Sequence, residues 1–217
     1  VAGFANEDVT IASAAITTLA TSDDITWTAT LTPTADTEDA TNVITIATSY
    51  TDTAGNAGGA ATSPNYAVET LAPSVSSVTM SDTALKAGET ATLTIVFSEA
   101  VAGFANADVT VQNGALATMT STDSITWTGT FTPTADTEDA SNTVSVAASY
   151  TDTVGNAGGA GTSANYAVET LAPSVSSVTV SDTALKAGDT ATLTIVFSEA
   201  VAAFANEDVT IGSGAIS

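Results

Sequence analysis

The amino-acid sequence predicts an all-β protein built from tandem antiparallel β-sandwich domains. The first observation behind this prediction is that apolar residues recur at a period of two, in segments rich in threonine and β-branched residues. The second is that no segment of useful length has the 3.6-residue period of a helix. The third is an internal repeat with the size of a small domain.

The repeat has a period of 100 residues without insertion or deletion, since VAGFAN begins at Val1 and again at Val101, and VAAFAN at Val201. A unit of this size is too long for a solenoid and matches an independent domain. The chain opens without the basic region of a signal peptide, so we interpret the sequence as an interior part of a longer polypeptide.

Domain boundaries are predicted at the ETLAPS segments, where Pro73 and Pro173 follow a strand-like segment as a short stiff linker would. Residues 72–171 then form one complete domain. Residues 1–71 are the later part of a preceding domain, and residues 172–217 are the early part of a following one.

Seven strands are predicted in the complete domain, each with one buried face and one face covered mainly by threonine and serine. The clearest is the strand at 91–97. Its predicted buried face consists of Ala91, Leu93, Ile95 and Phe97, and its other face consists of Thr92, Thr94 and Val96. In chain order the predicted strands are 75–81, 91–97, 109–111, 116–120, 125–131, 144–150 and 166–170. The aromatic residues expected to fill the cores are Trp27, Tyr50, Trp127 and Tyr150.

Composition excludes several classes of function. The chain has 24 acidic and two basic residues, a formal net charge of −22, and neither histidine nor cysteine. Histidine and thiol catalysis, disulfides and His/Cys metal sites are therefore excluded. So acidic a surface repels phosphates and anionic lipids, and no apolar stretch reaches the ~20 residues of a spanning helix. We expect no nucleic-acid partner and no membrane insertion in this segment, and a hard divalent cation as the favoured small partner.

Enzymatic activity is not expected. The glycine-rich GNAGGAG has neither GxGxxG spacing nor a following Lys-Ser/Thr, so it predicts no phosphate site. Paired carboxylates could serve a glycoside hydrolase, but here they recur in every unit, whereas a catalytic cleft is seldom duplicated with each domain.

The segments FSEAV, FTPTADTEDA, YTDTVGNAGGAG and NYAVETLAP occur in this order in the complete unit. They resemble the bacterial Ig-like domains that are repeated in tandem in large surface adhesins and biofilm-associated proteins, and the resemblance covers the whole chain. It implies Ig-like sandwiches in an extracellular, cell-surface stalk for adhesion, stiffened by Ca²⁺ at or near the domain junctions. Glu69 and Glu169 depart from the Asp that such linkers often carry.

The order of the strands also predicts where carboxylates meet. Successive loops of a sandwich fall at alternate ends, so the exit end of one domain should face the entry end of the next. Calcium takes six to eight oxygen ligands and would relieve the repulsion between carboxylates gathered there. The predicted ligands of the first junction are Asp36, Glu38, Asp39, Glu69, Glu99, Asp152 and Asn156, and those of the second are Asp136, Glu138, Asp139, Glu169 and Glu199.

Two alternatives for these loops stay open: TDTVGN as an Asx-type turn, and TADTEDA as a solvated loop. Alternatives for function also stay open. The leading hypothesis is a structural extender or fibre shaft, and the others are a carbohydrate- or protein-binding module and a carboxylate hydrolase. A further hypothesis is a filament of head-to-tail copies, in which the early strands at the end of one copy complete the incomplete domain at the start of the next.

Overall fold

The computed structural model describes residues 1–212, so residues 213–217, the end of the predicted third block, lie outside it. The strands of the first block are β1 (Val9–Ile11), β2 (Ala14–Ile16), β3 (Ala20–Thr21), β4 (Trp27–Thr28), β5 (Leu31–Pro33), β6 (Glu38–Asn42), β7 (Ile44–Ile46), β8 (Ala61–Thr62) and β9 (Tyr66–Glu69). The strands of the complete domain are β10 (Val75–Met80), β11 (Ala84–Lys86), β12 (Ala91–Phe97), β13 (Val101–Ala102), β14 (Val109–Val111), β15 (Gly114–Leu116), β16 (Thr126–Pro133), β17 (Glu138–Asn142), β18 (Val144–Val146), β19 (Thr151–Asp152), β20 (Gly161–Thr162) and β21 (Tyr166–Glu169). The third block adds β22 (Val175–Val180) and β23 (Leu193–Phe197), and each block has one short 3₁₀ turn, at Asn6–Asp8, Asn106–Asp108 and Asn206–Asp208.

Two sheets form the complete domain. The first, which we call sheet one, is antiparallel with the order β10-β12-β16-β15. The second, sheet two, consists of β11-β21-β17 and β14-β18-β20. If β17 and β18 are counted as two segments of one strand, and β20 and β21 as two segments of another, each sheet has four strands, and the short pair β13 and β19 lies outside both sheets. This is the two-sheet arrangement of an Ig-like sandwich, as the sequence predicts.

The core lies between the two sheets. The predicted alternation along β12 is confirmed, because Ala91, Leu93, Ile95 and Phe97 are each at most 2% exposed. The rings of Phe97 and Tyr150 pack with their centroids 4.7 Å apart and their planes tilted by 59°. This separation lies within the range of favourable aromatic pairs. Of the aromatic residues predicted to fill the cores, Tyr150 is fully buried, and the other three are partly buried, Trp127 packing against the core of the complete domain.

Four strand predictions need correction. The strand predicted at 144–150 ends at Val146, since β18 spans Val144–Val146. The strand predicted at 116–120 lies at Gly114–Leu116, because its register on β16 pairs Gly114 with Pro133. The TADTEDA segment, predicted as a loop, continues into β17, where pairing with β21 outweighs the low strand propensity of its acidic residues. The sequence prediction also missed β11, which pairs with β21 in parallel.

The third block exposes the face that the complete domain buries. Val178 is 59% exposed and Leu185 is 52% exposed, whereas the corresponding Val78 and Leu85 are 7% and 0% exposed. The strands β22 and β23 pair only with each other among the described residues. No helix in residues 1–212 is long and apolar enough to cross a bilayer.

Candidate functional site

The linker between the first block and the complete domain is held at both of its ends. On one side, the backbone amide of Thr70 donates to the carbonyl of Thr37 at 2.8 Å. On the other side, the carbonyl of Pro73 accepts a hydrogen bond from the amide of Gly159 at 3.1 Å. Only Leu71 and Ala72 therefore separate the last residue fixed on one domain from the first residue fixed on the next, which leaves little chain to flex at this junction.

Serine and threonine hydroxyls reinforce this attachment. The Thr70 hydroxyl donates to the carbonyl of Thr34 at 2.6 Å, and Ser98 Oγ accepts from the amide of Ser74 at 2.9 Å. The same bonds recur at Thr170 and Ser198. Sequence reasoning missed these residues, although their identical placement in each repeat was a signal that could have found them.

Two glutamates face each other where each domain ends. Glu38 pairs directly with Glu69 across β6 and β9, and Glu138 pairs with Glu169 across β17 and β21. Like charges at directly opposed positions of an antiparallel pair destabilise it. Each junction therefore carries a local repulsion that a cation could relieve.

Glu99, at the entry end of the complete domain, lies within the field of these charges. Burial raises the pKa of the Glu99 carboxyl, and the negative charges of Asp152, Glu69 and Glu38 raise it further. The Asn156 side-chain amide also donates to the backbone carbonyl of Glu69 at 3.4 Å. The carboxylates of Glu69 and Glu38 on one side of the first junction thus lie close enough to Glu99 on the other side for their charges to act on it.

The second junction repeats this pattern as far as the structure describes it. Burial raises the pKa of the Glu169 carboxyl, the charges of Glu138 and Glu199 raise it further, and the amide of Leu171 opposes them. Lys86 stands opposite Glu169 in the parallel register of β11 and β21. A lysine therefore accompanies the acidic pair at the exit end of the complete domain, a neighbour that sequence reasoning did not foresee.

Asp152 is committed to its own loop. Its Oδ1 accepts hydrogen bonds from the amides of Val154, Gly155 and Asn156 at 2.8, 2.6 and 2.9 Å, and its Oδ2 accepts from the Asn156 side chain. Burial acts to raise the pKa of Asp152, but these hydrogen bonds outweigh it and the pKa is lowered. Gly155 has a φ of 113°, which only glycine adopts readily. TDTVGN was interpreted either as a source of calcium ligands or as an Asx-type turn, and its local structure is that of an Asx-type turn.

The remaining predicted ligands are placed differently. Asp39 follows Glu38 on the same strand and so points to the opposite face, where its Oδ2 accepts from Ser13 Oγ at 3.0 Å. Asp139 likewise accepts from the Asn113 side chain at 2.8 Å, within its own domain. Asp36 and Asp136 are exposed turn residues. The structure does not bring these four into the group around Glu99.

The donor set at the junction is suited to a hard cation, because it consists of carboxylate, amide and carbonyl oxygens. A closed site is not formed, since no three acidic side chains in residues 1–212 are grouped so that they could hold one ion. A bound ion would need backbone carbonyls, water or rotated glutamate side chains to complete its coordination. The predicted calcium role of these residues stays a prediction.

Fold and junctions together define a tandem array of Ig-like β-sandwich domains joined by short, hydrogen-bonded linkers. The chain belongs to the bacterial Ig-like domain family, whose model matches residues 1–68, 69–168 and 169–217. These matches divide the chain three residues before the boundaries predicted at 72 and 172. No curated protein and no solved structure matches the chain.

Proposed function

We propose that the chain is a structural extender of a bacterial surface protein, in which each domain adds length and each junction limits bending. The observation that carries this proposal is the junction itself, where two residues, Leu71 and Ala72, connect anchored segments. The same repeat unit follows on both sides, so every domain would propagate the same geometry. Adhesion and an extracellular location are the setting in which such a spacer would act.

Calcium is the proposed stiffening ion. Glu38 and Glu69 occupy directly opposed positions on β6 and β9, and their negative charges both raise the pKa of Glu99 in the next domain. A divalent cation shared by these groups would replace repulsion between the domains with a link between them. The extender proposal does not depend on this ion, because the linker is short with or without it.

Small-angle X-ray scattering of the 217-residue chain separates the two parts of the proposal. The profile would be recorded with calcium, with a chelator, and with magnesium or sodium at matched ionic strength. We expect an extended particle in all conditions and a narrower distribution of interatomic distances with calcium. Identical profiles with calcium and chelator would remove the calcium part. A compact or widely variable particle in every condition would remove the extender proposal.

A matched pair of variants assigns the effect to the junction. Glu99→Gln and Asp123→Asn each remove one negative charge, but Asp123 hydrogen-bonds within its own turn to the amides of Ile125 and Thr126. We expect Glu99→Gln to reduce the response to calcium and Asp123→Asn to leave it unchanged. An equal loss in both variants would show that net charge, rather than the junction, governs the response.

Enzymatic activity is not part of the proposal. The acidic pairs lie at the exit ends of the sandwiches, where they recur with the repeat. Assays for glycan hydrolysis would test this point directly, and turnover abolished by Glu69→Gln would argue for a hydrolase instead.

A further inference from the structure

The complete domain contains the one Asn-Gly pair of the chain, at Asn113 and Gly114. Asparagine before glycine is prone to deamidation, because glycine has no side chain to hinder the attack of its backbone nitrogen on the asparagine side chain. The nitrogen of Gly114 forms a bond to Cγ of Asn113, and Nδ2 leaves as ammonia. Water then opens the cyclic imide at either carbonyl carbon, which gives aspartate or isoaspartate. The pair is therefore a candidate site of spontaneous modification.

Asn113 lies in the turn between β14 and β15, where the chain passes from sheet two to sheet one. Its φ of 50° is in the left-handed region, which asparagine tolerates better than most residues. Both sheets hold this turn, since the amide of Gln112 donates to the hydroxyl oxygen of Tyr166 at 3.0 Å and the amide of Thr134 donates to the carbonyl of Asn113 at 2.9 Å. The backbone can change its conformation here only when these contacts open.

The side-chain nitrogen that deamidation expels makes two hydrogen bonds in the folded domain. Nδ2 of Asn113 donates to Oδ2 of Asp139 at 2.8 Å and to Oδ1 of Asn142 at 2.6 Å. Asn142 is buried, so its Oδ1 depends on a protein donor. A side-chain amide has two hydrogens to donate, and both are engaged at this position.

The first block shows the effect of having one donor fewer. Ser13 occupies the position of Asn113, and its hydroxyl donates to Oδ2 of Asp39 at 3.0 Å. Oδ1 of the buried Asn42 then has no hydrogen-bond partner among the described residues. Satisfying both acceptors thus requires a residue with two hydrogens to donate. Aspartate, which is ionised at neutral pH, has none.

We propose that Asn113 is a deamidation site that the folded domain protects and unfolding exposes, and that its conversion lowers the stability of the refolded domain. Protection follows from the two hydrogen bonds, since the loss of Nδ2 gives up both of them, and from the fixed backbone of the turn. Unfolding releases both restraints.

The product is unsuited to the site that it occupies. After deamidation, a carboxylate faces the carboxylate of Asp139 and the buried Oδ1 of Asn142, so three acceptor groups meet without a donor. The isoaspartate form also adds one methylene group to the backbone of the turn that joins the two sheets. A domain that stays unfolded long enough to react therefore refolds with a permanent loss of stability, whatever the role of the chain.

Peptide mass spectrometry of the 217-residue chain tests the protection of Asn113. The chain is incubated at mildly alkaline pH, either folded or unfolded in urea, and the conversion of Asn113 to aspartate and isoaspartate is followed with time. Asn165 is the control within the same domain, because it is exposed and the bulky Tyr166 follows it. We expect Asn113 to convert many-fold faster in urea than when folded, and Asn165 to convert slowly in both. Equal rates for Asn113 in the two conditions, or no conversion in urea, would overturn the proposal.

A pair of variants tests the effect of the product on stability. Asn113→Asp introduces the product directly, and the matched control Asn113→Ser introduces the residue of the first block, which still donates one hydrogen bond there. Urea unfolding is followed by the fluorescence of Trp127 in a Trp27→Phe background. We expect a lower unfolding midpoint for Asn113→Asp than for Asn113→Ser at neutral pH, and a smaller difference at acid pH, where a protonated carboxyl group can donate. A midpoint for Asn113→Asp equal to or above that of Asn113→Ser would overturn the second half of the proposal.

Discussion

Gly114 and Phe131 form a size-matched pair in the core of the complete domain, and the first block carries Ala14 and Leu31 at the corresponding positions. A Cβ atom added at Gly114 would overlap the end of the Phe131 ring and lie 2.7 Å from the carbonyl oxygen of Thr132. Neither neighbour can yield easily, since one is a fully buried ring and the other is backbone. We therefore expect Gly114→Ala to destabilise the domain by about 1–3 kcal/mol through overpacking.

The smaller leucine should recover part of that loss. Phe131→Leu alone should cost less than the roughly 3–5 kcal/mol of truncation to alanine. The double variant should be more stable than the sum of the single costs predicts, by about 1 kcal/mol or more, because the added methyl group then occupies space that the ring vacated. The recovery is partial, since the Thr132 carbonyl keeps its place.

Urea unfolding followed by tryptophan fluorescence measures this cycle. A Trp27→Phe background makes Trp127 the reporter of the complete domain. Gly159→Ala is the matched control, since an added Cβ there meets nothing within 4 Å, and a change within about 0.5 kcal/mol is expected. A neutral Gly114→Ala, or strictly additive costs in the double variant, would refute the packing argument.

Three further predictions concern the same domain and the same unfolding assay. Gly158→Ala should cost about 1–3 kcal/mol, because an added Cβ would lie 2.6 Å from Cδ2 of the buried Tyr150 ring and closer still to its Cζ. Asn113→Ser should cost about 1–3 kcal/mol, since it removes the 2.6 Å hydrogen bond to the buried Oδ1 of Asn142. Hydrogen bonds from the backbone amides of Thr126 and Ile125 hold the pKa of the Asp123 carboxyl below its ordinary 3.8. The stabilisation from the ionised Asp123 is therefore complete above pH 3.8 and is lost as the pH falls through the pKa of the folded state.

The first block provides a control for the Asn113 prediction. Its Asn42 has a buried Oδ1 without a hydrogen-bond partner, and Ser13 stands where the complete domain has Asn113. Slower hydrogen exchange in the first block of the Ser13→Asn variant would support the role assigned to the hydrogen bond between Asn113 and Asn142, and unchanged exchange would contradict it.

The pH prediction is tested with Asp123→Asn. This variant should lose less stability than the unmodified chain as the pH falls below 3.8, and an equal loss in both would contradict the role assigned to Asp123.

The sequence predicted best where one local pattern determined both strand and burial. In residues 91–97 every second residue is apolar, and the segment forms a central strand of its sheet, so its buried face could be predicted from the sequence. Residues 138–142 and 84–86 form strands only because 166–169 lies between them. Such long-range pairing has no local signature, and acidic residues there favour the interpretation as a loop.

The same limit applied to the candidate site. Motif order was enough to assign Glu69 and Glu99 to opposite sides of the same junction, because this assignment depends only on which end of the sandwich each segment reaches. It could not separate Glu38 from Asp39, since neighbouring residues of a strand point to opposite faces. That distinction requires knowing that the segment is a strand and what register it has.

The parallel pairing of β11 with β21 has a mechanical consequence. In chain order β11 (Ala84–Lys86) is the second strand after the point where the polypeptide enters the domain, and β21 (Tyr166–Glu169) is the last strand before the point where it leaves. When tension is applied between those points, the two strands are pulled past each other along their length. Their hydrogen bonds are then strained together in shear, instead of opening one after another as in a hairpin peeled from its end. Forced unfolding is governed by the unfolding rate, and we expect this short pair of strands to lower that rate when the domain is under tension.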